Sequence, residues 1–86
     1  MTYYTYMLEC IAKRGKKSIY TGYTGCMTSR FDAHVDGRGA RYTKGKKLRV
    51  IWTQAFRTQA EAMRREREVK NMTRKKKLAL VAQVIK

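Results

Sequence analysis

From Tyr3 to Ile11 (YYTYMLECI) aromatic and apolar residues occupy alternate positions on both parities. The period of two predicts a strand, with Tyr4, Tyr6 and Leu8 on one face and Tyr3, Thr5 and Met7 on the other. The basic run Lys13–Lys17 is centred on Gly15 and reads as a turn. A second β-rich segment, Ser18 to Thr24, follows, so the pair forms an antiparallel hairpin. The period then changes. Met27, Phe31 and Val35 recur at i, i+4 and i+8, which predicts a helix to Asp36 with those three as its buried stripe. Residues 37–47 hold three glycines and five basic residues and read as an exposed loop. Leu48 to Phe56 (LRVIWTQAF) is apolar at both parities, as a strand covered on both faces would be. Thr58-x-x-Glu61 is a capping box that opens a helix to about Asn71. Thr73 to Ile85 reads as a last helix, basic at its start and apolar at its end. The order β-β-α-β-α-α predicts an α/β domain with a central, mainly antiparallel sheet of at least three strands.

Composition narrows this picture. With 86 residues the chain suits one domain with one modest core, spanning about residues 3–72 with the last helix appended. A hydrophobic share of 43% favours a folded chain over a disordered one. No run of about 18 apolar residues is present, so no membrane span is expected. MTYYTYMLEC lacks the basic and long apolar regions of a signal peptide, which favours a cytosolic protein. Cys10 and Cys26 are then expected to be free, packed thiols. The lone histidine leaves too few ligands for a zinc site of Cys/His type.

Charge changes the picture most. Twenty-one Lys and Arg against six Asp and Glu give a net charge of +15. Such a field attracts polyanions, and nucleic acid is the partner it favours, through phosphate contacts and counterion release. An anionic membrane surface is the weaker alternative. The candidate contacts are Arg38, Arg41, Lys44, Lys46 and Lys47 in the glycine-rich loop, with Lys70 and the run Arg74, Lys75, Lys76 and Lys77.

A few residues stand out against this background. On a helical wheel Glu66 lies between Met63 and Val69, so its carboxylate points toward the protein body, whereas Glu68 points away. A carboxylate on an inner helix face needs a paired arginine or a metal ion. Arg30 and His34 are one helical turn apart, at the edge of the predicted stripe. The first can hold a phosphate by its planar fork and the second can move a proton near neutral pH. Tyr6 and Tyr20 lie on neighbouring strands, where tyrosines also serve as plain packing residues. Gly22 lets backbone or substrate approach closely.

Taken together, Tyr4-Thr5-Tyr6, Tyr20-Thr21-Gly22, Arg30, His34 and Glu66, in this order, resemble the GIY-YIG nuclease superfamily. Gly37 to Lys47 (GRGARYTKGKK) and Glu66 to Lys77 (ExxVKNMTRKKK) resemble its small stand-alone prokaryotic members. The resemblance covers nearly the whole chain. It implies a β-β-α-β-α core that hydrolyses a phosphodiester in DNA, which it favours over RNA, on single-stranded, flap or branched substrates. One divalent ion, magnesium or manganese, would be held by Glu66. Arg30 would stabilise the phosphate, and Tyr6, Tyr20 or His34 would act on the attacking water. The first triplet departs from Gly-Ile-Tyr, and Tyr23 stands where several such nucleases carry a lysine. No further DNA-binding domain is evident, which implies low sequence specificity. A basic nucleic-acid-binding module with this fold and little activity is the alternative.

Overall fold

The central strand of the sheet is the first in the chain. In the computed structural model, which describes residues 1–84, β1 (Tyr3–Ile11) is flanked by β2 (Lys17–Thr24) and β3 (Lys47–Phe56), in the order β2-β1-β3. Both pairings are antiparallel. The β1–β2 turn is built as its sequence requires. Gly15 takes a φ of +83°, a region that favours glycine. Its N–H donates to the Ala12 carbonyl at 2.8 Å, and the Ala12 N–H donates to the Lys16 carbonyl at 3.0 Å.

Pairing on both sides explains why Thr5, Tyr6, Met7, Leu8 and Cys10 are all buried. Alternation then divides β1 between two apolar clusters. On one face Tyr6, Leu8 and Cys10 pack with Tyr20, Leu48 and, from α1 (Met27–Val35), Met27 and Phe31. On the other, Met7 and Trp52 pack with Val69 of α2 (Gln59–Lys70) and with Leu80 and Val81 of α3 (Arg74–Val84). Ile85 lies outside the described residues. Among the described residues no helix is long and apolar enough to cross a membrane.

Three expectations need correction. β3 is not covered on both faces: Val50 is 39% exposed, and Arg49 and Thr53 to Ala55 are exposed as well. Its apolar residues at both parities have another cause. The register runs Met7–Trp52 and then Leu8–Val50, so Ile51 is an extra residue. That bulge sends both Ile51 and Trp52 to the α2–α3 cluster. In α1 the stripe continues from Met27 and Phe31 to His34 at i+7, not to Val35 at i+8. His34 is 1% exposed and Val35 59%, because the helix rests on the sheet along the side that His34, not Val35, shares with Met27. Cys26 is exposed and only Cys10 is packed, though both thiols are free.

The segment 37–47 is likewise no open loop. It contains a single 3-10 turn, Arg41–Thr43, and Thr43 is fully buried. Gly37 and Gly45, at φ +78° and +76°, bracket that turn.

The capping box of α2 is formed as predicted. The Glu61 N–H donates to Thr58 Oγ1, and the Thr58 N–H donates to Glu61 Oε1, each at 3.2 Å. Buried Thr5 Oγ1 donates to the Ala62 carbonyl at 2.7 Å and pins the helix to β1. Thr58→Ala removes the cap and should cost about 1 kcal/mol. A chemical-denaturation midpoint unchanged from wild type would contradict this.

Candidate functional site

The strand register places the two motif tyrosines. Tyr6 pairs with Gly22 and Leu8 with Tyr20 across β1 and β2, so both phenols rise from the α1 face. A Cβ on Gly22 would lie 2.5 Å from the Tyr6 hydroxyl. The close approach that this glycine permits is therefore used by Tyr6, whose ring crosses over it toward α1. Tyr20 stands beside it, with ring centroids 6.4 Å apart.

From α1, one turn apart, Arg30 and His34 meet these phenols. Arg30 Nε donates to the Tyr6 hydroxyl at 3.3 Å, and His34 Nε2 lies 2.8 Å from the same oxygen. His34 Nδ1 lies 2.8 Å from Thr43 Oγ1, and the Thr43 hydroxyl reaches the Ala40 carbonyl at 2.9 Å. His34 is thus wholly enclosed, not at the edge of the core as its spacing suggested. The Tyr20 ring adds an edge-on contact at 5.2 Å.

Burial and charge set the protonation of this cluster. Burial raises the Tyr6 phenol, outweighing the hydrogen bond and charge of Arg30, so it keeps its proton. The hydrogen bond to Tyr6 holds Arg30 more firmly charged than usual against its partial desolvation, and the Tyr20 phenol adds to this. Burial pushes the His34 imidazole below its ordinary 6.5, and the nearby Arg30 charge pushes it further. The ring is neutral in the folded protein, whereas the unfolded chain takes up a proton at the ordinary value. The stability this ring contributes is present above about pH 6.5 and is lost as pH falls below it toward the lowered folded-state value. Between about pH 7.5 and pH 5.5, wild-type Tm should therefore fall more steeply than that of His34→Gln. Parallel slopes for the two proteins would refute the assignment.

In front of the buried pair lies a cleft of about 290 Å³ lined by Tyr20, Gly22, Tyr23, Thr24, Arg30 and Glu66. Glu66 reaches it from α2, across the free edge of β2. Its side chain is 19% exposed and its Oε1 is 3.8 Å from Lys70 Nζ, one turn on. The helical-wheel reading of Glu66 thus holds, although Met63, on the same wheel, is exposed. Tyr20, Arg30 and Glu66 share the cleft wall; Tyr6 and His34 stand behind it.

The basic residues divide. Lys70 adjoins Glu66, and Lys77 lines a second groove with Lys70, Thr21, Tyr20 and Tyr42. Lys46 Nζ sits 3.6 Å from the centre of the Tyr42 ring, which stacks on Tyr20 at 6.2 Å. Arg38 is drawn to Asp36 at 2.9 Å, and Arg74 donates to the Lys17 carbonyl at 3.2 Å. Arg41, Lys44, Lys47, Lys75 and Lys76 are exposed and belong to no part of the cleft wall. The sequence reading gave 37–47 no part in the site beyond its charge. It missed Gly39, Ala40, Tyr42 and Thr43, which touch Tyr20 or His34. An aromatic and a hydroxyl residue side by side in a run of glycine and lysine was the available signal.

The chain is similar to known proteins over most of its length. A family model described as the GIY-YIG catalytic domain matches residues 2–79. The UPF0213 protein BH0048 of Halalkalibacterium halodurans is 47% identical over 83 residues, covering 95% of this chain and 84% of that one. A UPF0213 protein of Cupriavidus necator is 40% identical, covering 95% and 86%. A UPF0213 protein of Staphylococcus aureus is 35% identical over 81 residues, covering 93% and 94%. A solution NMR structure of UPF0213 protein BH0048 from Bacillus halodurans superposes with a TM-score of 0.55 at 43% identity, covering 96% of this chain and 85% of that one. With the model spanning all three strands and most of the helical part, this chain belongs to the GIY-YIG family, among its small UPF0213 members.

Proposed function

We propose that this protein is a metal-dependent endonuclease that hydrolyses phosphodiester bonds in DNA with little sequence specificity. The observation that carries the reading is the convergence of Tyr20, Arg30 and Glu66 on one cleft, reached from three different elements. A phosphodiester needs positive charge where its non-bridging oxygens gain negative charge, an oriented water, and help for the leaving oxygen. Arg30 meets the first need: its Nε is tied to Tyr6, which leaves the terminal nitrogens for a phosphate. Tyr20, as the phenol on the cleft wall, orients the attacking water and relays its proton. Tyr6 and His34 lie too deep to touch that water and act as the anchor of Arg30.

The donor set suits a hard cation. Glu66 offers one carboxylate in a cleft whose other oxygens are hydroxyl and backbone groups. Among the described residues no three His, Cys, Asp or Glu side chains cluster as a closed site would require. Magnesium keeps several waters and commonly takes one or two carboxylates beside substrate phosphates, so these residues fit it. Glu66 would hold such an ion, which would supply Lewis-acid charge to the phosphate. The net charge of +15 supplies affinity for the phosphate backbone.

The test uses labelled single-stranded, duplex, flap and branched DNA, with an RNA control, in magnesium, manganese or EDTA. Arg30→Ala, purified identically, guards against a contaminating nuclease. Metal-dependent cutting that falls by about 10²- to 10³-fold in the variant supports the reading. Salt-sensitive binding without cutting on every substrate would leave a binding module in its place.

A further inference from the structure

We propose that Thr43 is a positioning residue that holds His34 with its proton on Nδ1, and that through Tyr6 it sets the direction of Arg30. The second half rests on the reading of Arg30 as the phosphate ligand; the first half does not. The argument is one of donors and acceptors in a closed space. Thr43 Oγ1 has one proton, and the Ala40 carbonyl takes it at 2.9 Å. Toward His34 Nδ1, at 2.8 Å, Thr43 is then an acceptor, so Nδ1 carries the hydrogen. Nε2 is left bare and accepts from the Tyr6 hydroxyl at 2.8 Å. With its own proton directed at His34, the Tyr6 oxygen turns a lone pair to Arg30 Nε at 3.3 Å. Each of the four links from Arg30 through Tyr6, His34 and Thr43 to the Ala40 carbonyl then has one donor and one acceptor.

The opposite tautomer fails this accounting. With the hydrogen on Nε2, the Tyr6 oxygen would receive donors from both His34 and Arg30. Its own proton, on a residue 1% exposed, would have no acceptor among these partners. Only the Ala40 N–H, at a longer 3.4 Å from Nδ1, favours that arrangement. The segment also lies close against the ring: a Cβ on Gly39 would collide with the imidazole, so only glycine lets the backbone approach it there. Nothing else in the segment 37–47 is buried as Thr43 is. The glycine-rich stretch is thereby part of the site's frame as well as a carrier of charge.

This protein has a single histidine, so the tautomer can be read without assignment ambiguity. The experiment is ¹⁵N and ¹³C NMR of the His34 imidazole near pH 7.5, without nucleic acid, in wild type, Thr43→Val, Thr43→Ala and Thr43→Ser. The expected result is a protonated Nδ1 and bare Nε2 in wild type and in Thr43→Ser. In Thr43→Val and Thr43→Ala the proton moves to Nε2, because the Ala40 N–H is the hydrogen-bond partner of Nδ1 that remains among the described residues. A wild-type ring protonated on Nε2 would overturn the proposal. So would a ring whose tautomer is unmoved in whichever of the valine and alanine variants folds. On the preferred DNA, cleavage should fall about 10- to 100-fold in Thr43→Val, the range seen when a supporting partner of an active-site group is lost, and serine should restore it. If wild type cuts no substrate, the nuclease reading fails while the NMR result still decides the role of Thr43.

Discussion

Glu66→Gln is expected to lower cleavage by about 10³-fold or more while leaving nucleic-acid affinity intact. Glutamine has nearly the shape of glutamate and keeps the packing of α2 against β2. It removes the one charge in the cleft that a divalent cation needs. A metal ion contributes several kcal/mol of charge stabilisation to phosphoryl chemistry, and each 1.36 kcal/mol is about tenfold in rate. The substitution also frees Lys70, whose ammonium now lies 3.8 Å from the carboxylate, and raises the net charge by one. Binding should therefore be equal or slightly tighter, and Tm close to wild type. The decisive measurement pairs a cleavage time course with a binding isotherm on the same DNA. Undiminished cleavage would remove Glu66 from the chemistry, and lost binding would show that the change harmed the fold.

The second large effect comes from making the same substitution at two neighbouring tyrosines. Tyr20→Phe removes a hydroxyl from the cleft wall. Cleavage should fall by about 10²- to 10⁴-fold, the usual worth of a positioned acid–base group, with little change in stability. Tyr6→Phe removes a hydroxyl that is shared by Arg30 and His34 in the core. It leaves the imidazole nitrogen unpaired, and an unsatisfied buried group costs about 1–3 kcal/mol. In a domain of this size that lowers Tm by several degrees for each kcal/mol. Cleavage should fall as well, through loss of the anchor of Arg30. Thermal melts and cleavage rates of both variants separate the roles. A stable Tyr6→Phe together with an unstable Tyr20→Phe would reverse the placement argued here.

Much of this arrangement was legible in the chain. The period of two in Tyr3–Ile11, Gly15 within its basic run and the Thr58–Glu61 box are local signals, and each produced its element. The helix wheel placed Glu66 correctly because a helix face is fixed by spacing alone. Val35 was misjudged because i+4 and i+8 spacing cannot show which flank of an apolar stripe meets the sheet. His34, a polar residue, took the inner place once Tyr6 and Thr43 supplied its hydrogen bonds. The exposure of β3 was hidden because a bulge mimics burial on both faces: it gives consecutive apolar residues, Ile51 and Trp52, a single side. Thr43 was invisible because the side chain it meets, His34, lies nine residues back along the chain, on α1.

The place of β1 at the centre of the sheet has a consequence for how the molecule comes into being. β1 leaves the ribosome before both of its partners: it gains one as soon as the hairpin closes, but its other edge stays bare until Lys47–Phe56 has been made. Throughout that interval Met7 and Leu8, both fully enclosed in the finished protein, lack half of their cover. Closing the sheet means bringing together residues from 36 (Ile11 and Lys47) to 53 (Tyr3 and Phe56) positions apart, a search whose entropy slows folding relative to a purely helical chain of the same length. Until it closes, the nascent chain presents an unpaired, apolar strand edge, the kind of surface on which chaperones act and aggregates begin.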